Sequence, residues 1–156
     1  MIELARAGLE DLIELHSIQR RSFAALLDKY RDYDTSPGAE SKELLKEKLD
    51  SAERDYYFIR EAGRNIGLVC VKRRDEHLEV CPICLLPEYQ GGGRGRAAMA
   101  LAEVLYPDNK DWELDTIMEE PRLCRFYESL GYRKSGRLTF VQDGMTIVGY
   151  KKERGC

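Results

Sequence analysis

The sequence predicts a single α/β domain with a mixed β-sheet, and three observations support this. The chain has 156 residues, a length typical of one domain. Its 43% hydrophobic and 34% charged residues are ordinary for a folded globular protein. Strand-like and helix-like segments follow one another in the order βααβββαβαββ, without repeats or an internal linker. We therefore expect about seven strands and about four helices in one domain over residues 1–156.

The first fifty residues predict one short strand and two helices. Residues 2–6 read as the strand, and between Leu9 and Leu27 the apolar residues recur at helical spacing. Residues 28–41 are polar and contain helix breakers, which indicates a loop. Ser41 is a good helix cap, and the helix that it starts reaches Leu49.

The middle of the chain predicts three strands and a buried helix. Residues 56–59 and 66–71 are β-rich runs, and the connection 61–65 between them indicates a hairpin. Residues 78–86 form another strand, which ends at Pro87. Residues 95–105 are apolar nearly all round, which is typical of a buried helix.

The remaining residues predict a strand, a helix and a terminal hairpin. Residues 112–117 form the strand. Pro121 opens a helix that Gly131 closes, the usual asymmetry of helix ends. The dipeptide Asp143-Gly144 is a strong turn signal and joins strands 137–141 and 145–151.

The composition excludes several classes of function. Lys and Arg number 25 and Asp and Glu 28, so the net charge of −3 argues against a nucleic-acid partner. The longest apolar runs are too short to span a bilayer, and the N-terminus lacks the apolar core of a signal peptide. Five cysteines without a dense framework suit a reducing compartment. We expect a cytoplasmic protein that binds neither nucleic acid nor membrane, and a homodimer stays open.

A glycine-rich turn is the most informative segment. Residues 90–96, with the sequence QGGGRGR, follow a predicted strand and open a predicted helix. Glycines let the backbone turn sharply and approach a ligand, and the first N–H groups of a helix can donate to a phosphate. Arg94 and Arg96 place positive charge at a helix N-terminus, which the helix dipole disfavours unless an anion is bound there. The segment therefore predicts an anion site.

Two known phosphate-binding patterns do not fit this turn. A P-loop requires Lys-Ser or Lys-Thr after its second glycine, and the segment has neither. In a dinucleotide fingerprint a third glycine would stand where this chain has Arg96. A plain flexible connection between strand and helix stays open as the simplest alternative.

Two motifs together resemble the GNAT acyltransferases. Gln90–Gly95 resembles the Gln/Arg-x-x-Gly-x-Gly/Ala signature of that family and is preceded by Pro-Glu-Tyr, as is usual there. The sequence RFYESLGY at residues 125–132 resembles the end of the family's last helix. The resemblance implies a GNAT fold, whose mixed sheet has splayed central strands. One departure is Glu120, which stands where the family's last helix often begins with Asn.

The resemblance implies acetyl-CoA as co-substrate and no metal. The pyrophosphate would be held by backbone N–H groups of the turn, with Arg94 and Arg96 as helpers. Backbone groups near residues 83–85 would bond the pantetheine and hold the oxyanion that forms at the thioester carbonyl. The implied cofactor-binding residues are Ile83, Cys84, Leu85, Gln90, Gly91, Gly92, Gly93, Arg94, Gly95 and Arg96.

The resemblance also implies two catalytic side chains. Tyr127 would be the general acid that protonates the departing thiolate, and Glu79 the base that deprotonates the acceptor amine. Each has a simpler alternative, because Tyr127 shares helical spacing with apolar neighbours and Glu79 could be a surface carboxylate. The implied function is transfer of acetyl from acetyl-CoA to a primary amine, on a small molecule or a peptide, by direct attack. The alternative is a non-catalytic acyl-CoA-binding or regulatory module.

Two other features point elsewhere. Cys81 and Cys84 have the spacing of a redox motif but lie in a predicted strand, where positions i and i+3 point to opposite faces. The acids of residues 28–34 could form a rim for a cationic acceptor.

Overall fold

The computed structural model describes residues 1–107 and 110–154. Within them the chain forms seven strands and four helices in the predicted order, so the predicted α/β class is confirmed. The strand order in the mixed sheet is β1-β2-β3-β4-β5-β7-β6. The elements are β1 (Ile2–Arg6), α1 (Leu12–Tyr30), α2 (Lys42–Leu49), β2 (Arg54–Glu61), β3 (Arg64–Arg73), β4 (His77–Leu85), α3 (Arg94–Leu105), β5 (Asp111–Ile117), α4 (Pro121–Ser129), β6 (Arg133–Gln142) and β7 (Met145–Lys152).

The chain divides into two compact units, and β4 contributes to both. The boundaries of one domain over residues 1–156 therefore stay a prediction. The first unit comprises Met1–Lys72 and Pro82–Pro107. In it, β1 pairs antiparallel with β2, and β2 pairs antiparallel with β3. One core cluster of this unit consists of the buried residues Ala7, Leu15, Ile18, Leu45, Tyr56, Phe58, Leu68, Cys70, Cys84 and Leu86.

The second unit comprises Arg73–Cys81 and the chain from residue 108 onwards. The first part of β4 pairs in parallel with β5, β5 pairs antiparallel with β7, and β7 pairs antiparallel with β6. The β4–β5 ladder ends at the pair Val80–Leu114. Pro82 follows two residues later, and a proline cannot donate to a ladder because it has no N–H group. The splayed central strands that the resemblance implies stay an expectation.

Most element boundaries differ from the prediction by one or two residues, and three differences have a clear physical reason. Helix α1 continues to Tyr30 and ends only where Arg31 adopts a left-handed φ of 54° and donates its N–H to the Leu27 carbonyl. The β2–β3 turn is only Ala62-Gly63, and both residues have positive φ, as a tight hairpin requires. Strand β6 begins at Arg133 rather than 137, and its first eight residues are exposed, so no apolar alternation marks its start.

Candidate functional site

The glycine turn connects β4 to α3 through three successive left-handed residues. Gly91, Gly92 and Gly93 have φ values of 80°, 67° and 82°. Residues with a Cβ rarely adopt this backbone conformation, so the turn requires glycine at these three positions. Gly93 is the residue before α3, and its carbonyl accepts the first helical hydrogen bond, from Ala97 N at 3.0 Å. The turn therefore delivers the chain directly into a helix N-terminus.

The space over this turn is open. A Cβ built on Gly91 or Gly93 would meet no heavy atom within 4 Å among the described residues. All three glycines are exposed, so their backbone can be approached from outside. An open backbone turn beside a helix N-terminus has the donors that a phosphate group needs. The predicted residues Gly91–Gly95 thus lie together at an open turn whose backbone N–H groups an anion could approach.

The side chains of the motif make contacts that the sequence did not predict. The guanidinium of Arg94 pairs with the Glu61 carboxylate, with Nε 2.5 Å from Oε2 and Nη2 3.3 Å from Oε1. Gln90 donates its Nε2 to the Leu85 carbonyl at 3.1 Å and so fixes the end of β4. Arg96 is exposed on the first turn of α3.

The end of β4 lies unusually close to β3. A Cβ on Gly67 would lie 2.2 Å from the Cys84 carbonyl oxygen, so only glycine permits this approach. Leu86 N donates to the Ile66 carbonyl at 2.8 Å in the same region. Residues 83–85, expected to bond the pantetheine, are therefore positioned by Gly67. Gly67 was not among the predicted site residues, although an isolated glycine inside a strand pattern indicates a close backbone approach.

The thiol of Cys84 is unsuited to redox chemistry. Its side chain belongs to the core of the first unit. Burial raises the pKa of the Cys84 thiol to about 12, against hydrogen bonds from Ser22 and Leu68 that lower it. Since the thiolate is the reactive form, this cysteine is inert near neutral pH. The described cysteines, at positions 70, 81, 84 and 124, are all free thiols.

In the second unit, Glu79 forms hydrogen bonds with side chains on β4 and on the turn before it. His77 Nε2 lies 3.0 Å from Glu79 Oε1, and Arg74 Nε donates to the same oxygen at 3.2 Å. Partial burial raises the pKa of the Glu79 carboxyl, but the hydrogen bonds from His77 and Arg74 outweigh it, so the pKa lies below its ordinary value. Glu79 is therefore ionised at neutral pH and a weak proton acceptor. The His77 Nδ1 atom lies 3.6 Å from Glu113 Oε2, a second carboxylate that sequence reasoning missed.

Tyr127 lies on α4 within a cluster of aromatic rings. Its side chain is 8% exposed. Its ring centroid lies 5.1 Å from that of Phe126, 6.1 Å from that of Tyr132 and 6.4 Å from that of Tyr150. The Tyr150 hydroxyl donates to Glu128 Oε2 at 2.7 Å. This packing holds the Tyr127 ring in a fixed orientation, as a positioned proton donor requires.

Asp32 and Glu120 are two acids that the sequence singled out, and the structure shows their hydrogen bonds. Asp32 is 6% exposed and accepts hydrogen bonds from Thr35 N and Thr35 Oγ1, so it stabilises a turn rather than an acidic rim. Glu120 precedes α4, and its carbonyl accepts from Leu123 N at 3.1 Å.

Across the described ranges, no group of three or more His, Cys, Asp or Glu side chains is arranged to hold a metal ion. No helix in those ranges is both long and apolar enough to cross a membrane.

Solved structures share this fold over nearly the whole chain. A PaiA N-acetyltransferase from Thermoplasma acidophilum in complex with coenzyme A has a TM-score of 0.78 and 20% identity, covering 98% of this chain and 99% of that one. The ribosomal-protein-S18-alanine N-acetyltransferase from Escherichia coli has a TM-score of 0.78 and 16% identity, with coverage of 100% and 96%. A spermidine N-acetyltransferase SpeG chimera from Vibrio cholerae has a TM-score of 0.76 and 20% identity, with coverage of 97% and 95%. At these identities the likeness is one of fold.

The family assignment comes from the sequence itself. A search of curated protein sequences finds no significant match. The family model described as "Acetyltransferase (GNAT) family" matches residues 12–132, which include the glycine turn and the whole RFYESLGY motif. Because this match covers more than half of the chain, the protein belongs to the GNAT acetyltransferase family.

Proposed function

We propose that this protein transfers an acetyl group from acetyl-CoA to a primary amine. The observation that carries the proposal is the run of three left-handed glycines, open to solvent, at the N-terminus of α3 in a chain of the GNAT family. A structural neighbour with this fold was solved in complex with coenzyme A, which supports the same ligand here. Neighbours named as spermidine and protein-alanine N-acetyltransferases support an amine as acceptor.

The backbone of the turn would hold the pyrophosphate. N–H groups of Gly91 to Gly95 donate to the phosphate oxygens, and the dipole of α3 favours the negative charge. Residues 83–85 of β4 would bond the pantetheine, and their backbone N–H groups would stabilise the oxyanion at the thioester carbonyl. Acetyl-CoA supplies the activated acyl group as a thioester.

Two side chains would carry out the proton transfers of the reaction, one as acceptor and one as donor. Glu79 accepts a proton from the acceptor ammonium, directly or through water, so that the neutral amine can attack. Its lowered pKa makes it a weak proton acceptor. Tyr127 donates its phenolic proton to the thiolate as the C–S bond breaks, because a phenol and a thiol have pKa values in a similar range. The net change is one amide formed, one thioester broken and one free thiol released.

A non-catalytic acyl-CoA-binding module is the second candidate. It is favoured by the ion pairs that hold Glu79 and by the burial of Tyr127 among other rings. Both candidates predict that acetyl-CoA binds to the purified protein.

Release of free thiol distinguishes the two candidates. The protein is incubated with acetyl-CoA and a panel of amines comprising peptides, amino acids, polyamines and aminoglycosides, and thiol is measured with a chromogenic reagent. We expect thiol release that depends on one class of amine. Binding of acetyl-CoA without thiol release for any amine would support the binding module, and absence of binding would contradict both candidates.

A further inference from the structure

The ion pair between Arg94 and Glu61 gives the glycine turn a support that its own backbone lacks. Three successive glycines have the largest conformational freedom of any backbone segment, so ordering them costs more entropy than ordering other residues. The exposed glycines bury no side chain that could offset this cost. The turn therefore depends on contacts supplied by its neighbours.

Arg94 supplies several of those contacts at once. Its Nε and Nη2 form a two-point pair with the Glu61 carboxylate, at 2.5 Å and 3.3 Å. Its Nη1 lies 3.4 Å from the Tyr89 carbonyl oxygen, and its guanidinium carbon lies 5.5 Å from the centre of the Tyr89 ring. The same Nη1 would lie 3.3 Å from a Cβ on Gly92. The side chain thus folds back along the turn and ties its beginning to the first residue of α3.

Glu61 is itself firmly placed. It is the last residue of β2 and pairs in register with Ile2 on one side and Arg64 on the other. The tight Ala62-Gly63 turn follows it directly, with φ values of 51° and 77°. A carboxylate at the end of a paired strand offers a rigid anchor, and a bidentate carboxylate is the partner that a guanidinium binds best.

The charges of this pair support the same interpretation. A cation at the first position of a helix is unfavourable, because the helix dipole places positive potential there. Glu61 pairs with Nε and Nη2 of Arg94, and the Tyr89 carbonyl accepts from Nη1, which leaves the backbone N–H groups of the turn as the donors for a phosphate. The mutual effect is visible in the pKa values, since the hydrogen bond from Arg94 lowers the pKa of Glu61.

We propose that Glu61 is a positioning residue for coenzyme A, which acts through Arg94 to hold the glycine turn in its phosphate-binding shape. Arg94 is then a brace and not a direct phosphate ligand. This inference rests on the proposed function for its ligand, but the brace itself is a property of the protein without ligand. It revises the expectation that Arg94 helps the backbone by touching the pyrophosphate.

The test compares Glu61→Gln, Arg94→Gln, Arg94→Lys and the double variant Glu61→Gln/Arg94→Gln. Coenzyme A binding is measured by titration calorimetry, and KM and kcat are measured with acetyl-CoA. We expect each single variant to raise the dissociation constant about tenfold, because a small displacement of a positioned group is enough to weaken binding. The double variant is expected to be no weaker than either single variant, since the two residues act as one unit. KM for acetyl-CoA rises while kcat changes less than about twofold.

A direct phosphate contact by Arg94 predicts a different pattern. Glu61→Gln would then release Arg94 and leave binding unchanged or tighter, while Arg94→Lys would keep much of the affinity as a point charge. Either result would overturn the proposal. Glu53→Gln and Arg20→Gln serve as controls, because both side chains are exposed and each variant removes the same charge elsewhere in the first unit.

A ligand-free measurement separates this proposal from the proposed function. Backbone ¹⁵N order parameters of Gly91, Gly92 and Gly93 are recorded by NMR for the wild type and for Glu61→Gln. We expect values that fall below about 0.6 in the variant only, the range of flexible backbone. Equal values in both proteins would overturn the brace even if coenzyme A binds, and lack of coenzyme A binding by the wild type would overturn the function alone.

Discussion

The glycine turn in the first unit and the Tyr127 cluster in the second unit are built on opposite principles. The turn presents backbone atoms, owes its shape to three left-handed glycines and is exposed. Tyr127 presents one side chain, owes its orientation to packed rings from Phe126, Tyr132 and Tyr150 and is buried. A backbone site is thus encoded by residue types that are adjacent in sequence. A side-chain site depends on partners that the fold brings from elsewhere.

This difference predicts distinct failures when each region is altered. A change in the backbone turn should impair ligand binding and leave the chemistry of a bound ligand intact. A change at the Tyr127 hydroxyl should impair turnover and leave ligand binding intact. The following variants test this separation.

Tyr127→Phe is expected to have the largest effect. It removes the phenolic proton but keeps the ring contacts, so turnover should fall about a hundredfold, the lower end of what a general acid contributes. The dissociation constant of acetyl-CoA should change less than about twofold. Thiol-release kinetics and titration calorimetry measure the two quantities.

Tyr150→Phe is the matched control for this variant. It removes one hydroxyl from a buried tyrosine in the same cluster, whose hydroxyl bonds to Glu128. We expect a loss of about 1 kcal/mol in the free energy of unfolding and unchanged turnover. If Tyr127→Phe keeps the wild-type rate, or if both variants lose the same activity, Tyr127 is not the acid.

Gly93→Val is expected to weaken coenzyme A binding at least tenfold. A β-branched residue at φ 82° strains the backbone by about 1–2 kcal/mol and moves the N–H groups that precede α3. A hydrogen bond to a charged group is worth about 1.5–3 kcal/mol, so the loss of one accounts for this change in affinity. Calorimetry measures affinity, and denaturant unfolding measures stability.

Gly144→Val controls for the strain alone. Gly144 has a φ of 81° and, like Gly93, no described heavy atom within 4 Å of its Cβ position. Both variants should lose similar stability, and only Gly93→Val should lose affinity. Undiminished binding of coenzyme A by Gly93→Val would refute the proposed pyrophosphate site at the glycine turn.

Glu79→Gln is expected to lower turnover about tenfold at neutral pH. This loss of turnover is smaller than the roughly hundredfold loss usual when a general base is removed. The reason is that a carboxylate with a lowered pKa is a weak proton acceptor. A base works when it is ionised, so activity is retained above its pKa and lost as the pH falls through it. That loss should occur below the ordinary glutamate value of about 4.3. The pH dependence of kcat/KM for the wild type and the variant measures this.

The neighbouring Glu113 provides the control. It contacts His77 and Arg137 in the same polar network, so Glu113→Gln removes an equivalent negative charge. We expect its rate and its pH profile to match the wild type. An acidic limb that is identical in Glu79→Gln and the wild type would exclude Glu79 as the base.

The contrast between the two regions also explains what the sequence could predict. The order of the strands and helices in the described residues followed from periodicity and turn residues, because those signals are local. The glycine turn was found for the same reason. The partners of Arg94 and Glu79 were not found, since Glu61 and Arg74 become their neighbours only through strand pairing and tight turns. The start of β6 was missed because an exposed edge strand needs no apolar alternation.

Glu88→Gln should have the smallest effect, and it tests whether any ion pair beside the turn would serve as a brace. Glu88 lies 3.5 Å from Arg21, and the two side chains are 58% and 55% exposed. Exposed single-point pairs contribute little, because water and salt screen them, whereas Arg94 and Glu61 are 31% and 28% exposed and joined at two points. We therefore expect Glu88→Gln to change the free energy of unfolding by less than about 0.5 kcal/mol. Calorimetry should find its affinity for coenzyme A within about twofold of the wild type, as expected of a group that does not position the turn. A tenfold loss, equal to that of Glu61→Gln, would mean that negative charge near the turn matters and that the geometry of the Arg94 pair does not.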